Sequence, residues 1–165
     1  MKLKGIKFNM NSAIISAIII AVMVLVDQIS KIVAFKYFEF GTIYRPIPNI
    51  IDFILVKNRG AIFGILQGKM VLFWIVTIIG LLLFGYLLKD ADFVTMPFYS
   101  IGLSLMIAGT IGNFIDRAIL GYVRDFITFG FFDFPSFNTA DMCMCVGIVM
   151  MAIDILFGKA GELWN

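Results

Sequence analysis

Ala140-Asp-Met-Cys-Met-Cys-Val-Gly-Ile-Val-Met-Met-Ala-Ile-Asp-Ile-Leu-Phe157 is apolar throughout except for two aspartates, Asp141 at its mouth and Asp154 near its end. A run of this length crosses a hydrocarbon core of about 30 Å as one helix. An acid placed there must be paired, solvated or functional, because exposing its charge to lipid is costly. Three similar runs precede it, at about 12–35 (interrupted by Asp27 and Lys31), 71–88 (ending at Lys89) and 96–114. The first is long, and no small-x-small site follows it before charges resume, so it reads as a retained membrane helix rather than a cleavable signal. The expected fold is an all-α membrane protein of four transmembrane helices, one integral membrane domain over residues 1–165.

Composition agrees. The chain is 61% hydrophobic and 15% charged, with a mean hydropathy of +1.01. Soluble domains carry about a quarter charged residues, so lipid is the natural solvent for much of this chain. A net charge of +2 gives no reason to expect a nucleic-acid partner. There is no histidine, which removes most Ser-His, Cys-His and zinc-His chemistry. Cys143 and Cys145 lie two apart on a helix, point in different directions, and read as small apolar side chains.

Between the first two runs, Pro46 and Pro48 disfavour helix. Asn49–Val56 and Ala61–Ile65 then flank the Gly-containing turn Lys57-Asn-Arg-Gly60. Two β-rich runs about such a turn predict a hairpin, a small β-rich cradle from the first external loop, lying against the membrane surface. Four crossings put both termini on one side and loops one and three on the other. Asn58, Asn113, Asp116, Arg117, Asp125, Asn138 and Asp141 then share one face. Asp27 joins them, since it lies twenty residues beyond Lys7, about 30 Å along a helix. Asp154 falls about 20 Å deeper than Asp141 and reads as structural, with Lys159 as an interfacial neighbour. Lysines and arginines occur on both sides, so their count alone does not orient the chain.

Two carboxylates held together can run hydrolysis without histidine, one as acid and one as base. Asp125, in Val123-Arg-Asp-Phe126, and Asp141, in Phe137-Asn-Thr-Ala-Asp141, are sixteen residues apart across a phenylalanine-rich strip. Asp133, within that strip, is a weaker third candidate beside the turn chemistry of Phe134-Pro135. Asp27 and Lys31 have an ion-pair spacing. Asn113, Asp116 and Arg117 share a helix face behind glycines that permit close helix approach.

Five blocks taken in order resemble the lipoprotein signal peptidase (signal peptidase II) family: Asp27-x-x-x-Lys31; Asn58-x-Gly60-Ala61-x-Phe63; Gly109-x-x-Gly112-Asn113-x-x-Asp116-Arg117; Val123-x-Asp125-Phe126; and Phe137-Asn138-x-Ala140-Asp141. The resemblance implies an aspartyl endopeptidase of the bacterial cytoplasmic membrane, multi-pass, with both termini cytoplasmic and the active site near the outer face. It implies removal of signal peptides from diacylglyceryl-modified prolipoproteins, cut before the lipidated cysteine, with no metal or other cofactor. Asp125 and Asp141 match the catalytic pair. Asn58, Gly60, Asn113, Arg117 and Asn138 match positions that shape the site or contact substrate or globomycin-type inhibitors, and Asp27, Lys31 and Asp116 are assigned to support. Membrane lipid is the expected surrounding and a monomer the expected state. Ala108 and Arg124 depart from the family pattern, where Gly and Val are common; a cation at 124, beside the catalytic pair, is expected either to lower an aspartate pKa or to contact lipid headgroups.

Two rivals come from other chemistries. A small ion transporter or channel could relay cations through Asp27, Asp116 and Asp141, but these acids gather at one face instead of spanning the bilayer. A Ser-Lys peptidase could pair Lys31 with Ser30, Ser100, Ser104 or Ser136, of which only Ser136 has a suitable depth.

Overall fold

The computed structural model describes residues 9–60 and 70–163. Among the described residues, four helices are long and apolar enough to cross a membrane: α1 (Met10–Tyr37), α2 (Met70–Leu88), α3 (Pro97–Leu120) and α4 (Thr139–Phe157). The chain is a multi-pass membrane protein. Asn9 caps α1 by accepting from the backbone N–H groups of Asn11 and Ser12 at 3.1 and 3.2 Å, which are otherwise unpaired in a first turn. At 28 residues, α1 is about 42 Å long, so it outruns the hydrocarbon core. α3 ends six residues beyond the apolar run 96–114, because helix geometry persists through Asp116 and Arg117 until Gly121 ends it with φ +75°.

α3 is the central helix and packs on α1, α2 and α4. Its approach to α4 is set by glycine. A Cβ on Gly102 would lie 2.5 Å from the carbonyl oxygen of Gly147, and one on Gly147 would lie 2.5 Å from that of Gly102. Two backbones in contact gain dispersion contacts that lipid tails do not supply. Tyr99 and Leu103, both fully buried, fill the adjoining core with Met96, Ile107 and Ala160.

Among the described residues, an antiparallel sheet of three strands has the order β1-β2-β3, from Tyr44–Ile47, Ile51–Asn58 and Val123–Phe129. The arm Asn49–Val56 is thus largely a strand, but its partner within the first loop is the segment before it, with Asn49 in the left-handed region of the turn (φ 62°). Pro46 is accommodated because β1 is an edge strand. The other predicted arm, Ala61–Ile65, lies outside the described residues. The second partner of β2 comes from the third loop, so the cradle is built by two loops. A register shift between Phe53 and Val56 marks a bulge in β2, which re-aims the strand end carrying Asn58.

The end of the bundle away from the sheet is closed by Asp154. Its Oδ2 accepts from the backbone N–H of Tyr99 at 2.9 Å and its Oδ1 from that of Ala160 at 3.5 Å. Met96, at the start of α3, offers no side-chain cap, so α4 supplies one across the interface. The partners of Asp154 are therefore backbone amides and not Lys159, as amides at a helix start carry partial positive charge without a second ion to desolvate.

Candidate active site

Asp125 lies on β3 opposite Val56 of β2, and Asn58 lies two residues further along β2 on the same face. Asn58 Nδ2 accordingly donates to Asp125 Oδ2 at 2.9 Å. The Asn58 amide is held from behind, since the backbone N–H of Gly60 donates to its Oδ1 at 2.9 Å. Asp141 reaches the same place by a different route. Phe137 forms a bridge with Ile127: Phe137 N–H donates to the Ile127 carbonyl at 2.8 Å, and the Phe137 carbonyl accepts from Ile127 N–H at 2.9 Å. The sixteen-residue separation is thereby closed by backbone pairing, and α4 begins beside β3.

Asn138 is the joint. As N-cap of α4 it accepts from Asp141 N–H at 3.2 Å, and its own N–H donates to Asp141 Oδ2 at 3.1 Å, a capping box. Its side-chain NH2 donates to Asp125 Oδ1 at 2.6 Å and to Asn113 Oδ1 at 3.1 Å. One residue therefore touches both carboxylates. Asn113 Nδ2 donates in turn to Asp141 Oδ1 at 2.8 Å. Each carboxylate oxygen of the pair accepts a hydrogen bond.

The two acids differ in environment. Asp125 is 2% exposed, whereas Asp141 is half-buried. Burial pushes the Asp125 carboxyl up to about 7 against the hydrogen bond from Asn58, and the negative charge of Asp141 pushes the same way. Asn138 and the more distant Lys31 moderate the rise. At neutral pH such a group holds its proton about half the time, and two neighbouring carboxylates can share one proton.

Behind the pair lies a closed ionic cluster. Lys31 Nζ, fully buried, contacts Asp27 Oδ2 at 2.9 Å, Asn113 Oδ1 at 3.0 Å and Asp116 Oδ2 at 3.7 Å. Asp27 Oδ1 accepts from Ala140 N–H at 2.9 Å, so α1 caps α4 as α4 caps α3. Asp116 pairs with Arg124 and not with Arg117. Arg124 Nη2 and Nε donate to its two oxygens at 2.7 and 3.1 Å, and the Arg124 backbone N–H adds a third bond at 2.9 Å. Successive strand residues face opposite ways, which turns Arg124 away from Asp125 and into this cluster. Arg117 lies over the ring of Phe73, 4.8 Å from its centroid, within electrostatic reach of Asp141 and Asp125. Asp133 is exposed in the loop, apart from the network.

Gln28 was not among the residues singled out from sequence. Its Nε2 donates to Asp27 Oδ2 at 3.0 Å and to the Gly112 carbonyl at 3.1 Å, and its Oε1 accepts from Arg124 at 2.9 Å. The available signal was an amide in an apolar span next to an aspartate, a position where lipid demands a partner.

The model of the signal peptidase II family, described as Signal peptidase (SPase) II, matches residues 19–157. The chain belongs to the signal peptidase II family. Relatives named lipoprotein signal peptidase are found in Lactiplantibacillus plantarum, 37% identical over 84% of this chain and 92% of that protein, and in Staphylococcus aureus strain MRSA252, 39% identical over 86% and 88%. A solved structure described as a bacterial membrane enzyme, determined by the in meso method at 2.3 Å resolution, superposes with a TM-score of 0.79 at 35% identity, covering 89% of this chain and 90% of that one. A second, at 1.9 Å, gives a TM-score of 0.76 at 35% identity, over 86% and 92%. The signal peptidase II match spans α1 beyond its first turns, the sheet and α4 entire, and so includes every residue of the network just described.

Proposed function

We propose that this chain is an aspartyl endopeptidase that removes the signal peptide from diacylglyceryl-modified prolipoproteins, cutting just before the lipidated cysteine. The observation that carries this reading is Asn138, which hydrogen-bonds both Asp125 and Asp141. Asp125, buried and raised to about 7, serves as the proton-bearing member. Asp141, less buried than Asp125, serves as the base. Asp141 takes a proton from water, which attacks the scissile carbonyl, while Asp125 donates to the carbonyl oxygen. The tetrahedral intermediate collapses as a proton passes to the leaving amine. The pair supplies both proton transfers, so the scheme calls on no metal or organic cofactor.

Asn58, Gly60, Asn113 and Asn138 shape the site, and Arg117 presents its guanidinium to substrate carbonyls. Asp27, Lys31 and Asp116 support them. The chain is read as a single domain in the bacterial cytoplasmic membrane, with both termini cytoplasmic and the site near the outer face. There the sheet and the exposed phenylalanines 131, 132 and 134 would hold an extended peptide while lipid-facing helices receive the acyl chains. Its partners are the prolipoprotein, surrounding lipid and globomycin-type inhibitors, and it acts as a monomer.

The test is to incubate the purified protein in detergent with a diacylglyceryl-modified prolipoprotein, with and without globomycin, and to map the cut by mass spectrometry. Globomycin-sensitive cleavage before the lipidated cysteine is expected. A folded protein that does not cleave, but passes cations in liposomes, would establish the transport reading instead.

A further inference from the structure

We propose that Arg124 is a positioning residue for the Asp125–Asp141 pair, acting through Asp116 and Lys31 on Asn113 and so on Asp141. The inference rests on the dyad reading above. Arg124 does not face the reacting groups. It lines the outer groove between α1 and α3, about 220 Å³ in volume and walled by Ile32, Ile115 and Ile119. Its guanidinium grips the Asp116 carboxylate by two bonds and its backbone by a third, a fork geometry that holds a carboxylate in one orientation.

Two arms run from that grip to the first turn of α4. In one, Asp116 lies 3.7 Å from Lys31 Nζ, Lys31 donates to Asn113 Oδ1, and Asn113 Nδ2 donates to Asp141 Oδ1. In the other, Arg124 donates to Gln28 Oε1, Gln28 Nε2 donates to Asp27, and Asp27 accepts from Ala140 N–H. The cluster balances two acids, Asp27 and Asp116, with two cations, Lys31 and Arg124. Loss of the Arg124 charge leaves one negative charge in excess and draws Lys31 toward Asp116. Asn113 Oδ1 then keeps only the Asn138 Nδ2 donor, and the amide that donates to Asp141 is held less firmly. The charged groups acting on the pair are Asp27 and Lys31 from α1 and Arg117 from α3, and Asp116 of α3 lies behind them beside Lys31. Of these, Asp116 is the one to which Arg124 is bonded.

The experiment is cleavage kinetics against pH for Arg124→Gln, Arg124→Lys and the double variant Asp116→Asn/Arg124→Gln. Excess negative charge makes the pair harder to ionise, so Arg124→Gln moves the acid limb of kcat up by about one pH unit, or about tenfold less turnover on that limb. KM stays at the wild-type value, because Arg124 does not face the substrate. Arg124→Lys keeps the charge and the wild-type limb. The double variant rebalances the cluster and returns the limb to its original place, which a loss of packing alone would not do. An unshifted limb in Arg124→Gln, a change in KM alone, or a limb that stays displaced in the double variant would overturn the proposal. If Arg124→Gln does not fold, the double variant decides: folding with a wild-type limb supports the charge argument, and failure to fold overturns it. Asp125→Asn in the same assay separates the two readings. Cleavage by that variant sinks the dyad itself, whereas an inactive Asp125→Asn with an unshifted Arg124→Gln sinks only this inference.

Discussion

Lys31 donates to Asn113 Oδ1 at 3.0 Å, and with Asn138 Nδ2, which donates to the same oxygen, it fixes which end of the Asn113 amide faces Asp141. An ammonium offers only donors, so the amide oxygen must turn toward Lys31 and its NH2 away from it. The same ammonium neutralises Asp27 and lies near Asp116. A residue behind the pair thus contributes to both the charge and the hydrogen-bond polarity there.

Lys31→Met leaves two buried carboxylates with one fewer cation. Breaking a buried pair by removing one partner costs about 3–5 kcal/mol. The expected result is a large fall in the unfolding midpoint in detergent, together with loss of cleavage at temperatures where the variant remains folded. An unchanged midpoint would contradict the buried-cation role.

Asp125 makes stability fall as pH rises. Its carboxyl sits at about 7 in the folded state against an ordinary value of 3.8. Between those values the folded state holds a proton that the unfolded state has released, so stability is lost through that window and the full cost stands above it. Asp125→Asn carries no such charge. It should unfold at a higher temperature than wild type at pH 8, with an upper bound on the order of 4 kcal/mol, and the advantage should vanish near pH 4. Wild-type cleavage should decline above pH 7 as Asp125 loses its proton. Parallel unfolding midpoints at both pH values would refute the assignment.

A Cβ on Gly109 would strike the backbone carbonyl of Ala140, whereas one on Gly85 meets nothing within 4 Å. Gly109→Ala must push α3 from α4 at the site end, so both midpoint and turnover should drop. Gly85→Ala, on the lipid-exposed α2, should leave turnover unchanged and gain up to about 1 kcal/mol of helix propensity. Equal behaviour of the two variants would dismiss the close-approach argument.

Asp154 holds the far end of α3 through Tyr99 N–H. Asp154→Ala removes a helix cap, worth about 1 kcal/mol, and should lower the midpoint while kcat and KM stay at wild-type values. A selective loss of kcat would mean that the two ends of the bundle are coupled.

Much of this was legible in sequence, and the omissions have physical causes. The spans could be read because lipid imposes length and apolarity on any crossing helix. Asp125 and Asp141 stood out because acids at such positions demand an explanation. The sheet was harder. Pro46 and Pro48 mask β1, and β3 arrives from the third loop, a pairing no local pattern specifies. The partners of buried charges were hardest of all. From sequence, Asp116 reads as support on the helix face that it shares with Asn113 and Arg117. Strand alternation adds Arg124 to it from β3, and Asp154 is met by backbone amides of α3 and of Ala160. Spacing along the chain tells which side chains share a face, but the opposing element decides which of them meet.

The most direct measurement is single-turnover cleavage of a diacylglyceryl-modified prolipoprotein by Asp125→Asn, by Asp141→Asn and by the pair together, each variant checked for wild-type folding. Two carboxylates acting on one water predict that either substitution alone abolishes cleavage as completely as both. Wild-type turnover by either folded single variant would contradict the dyad.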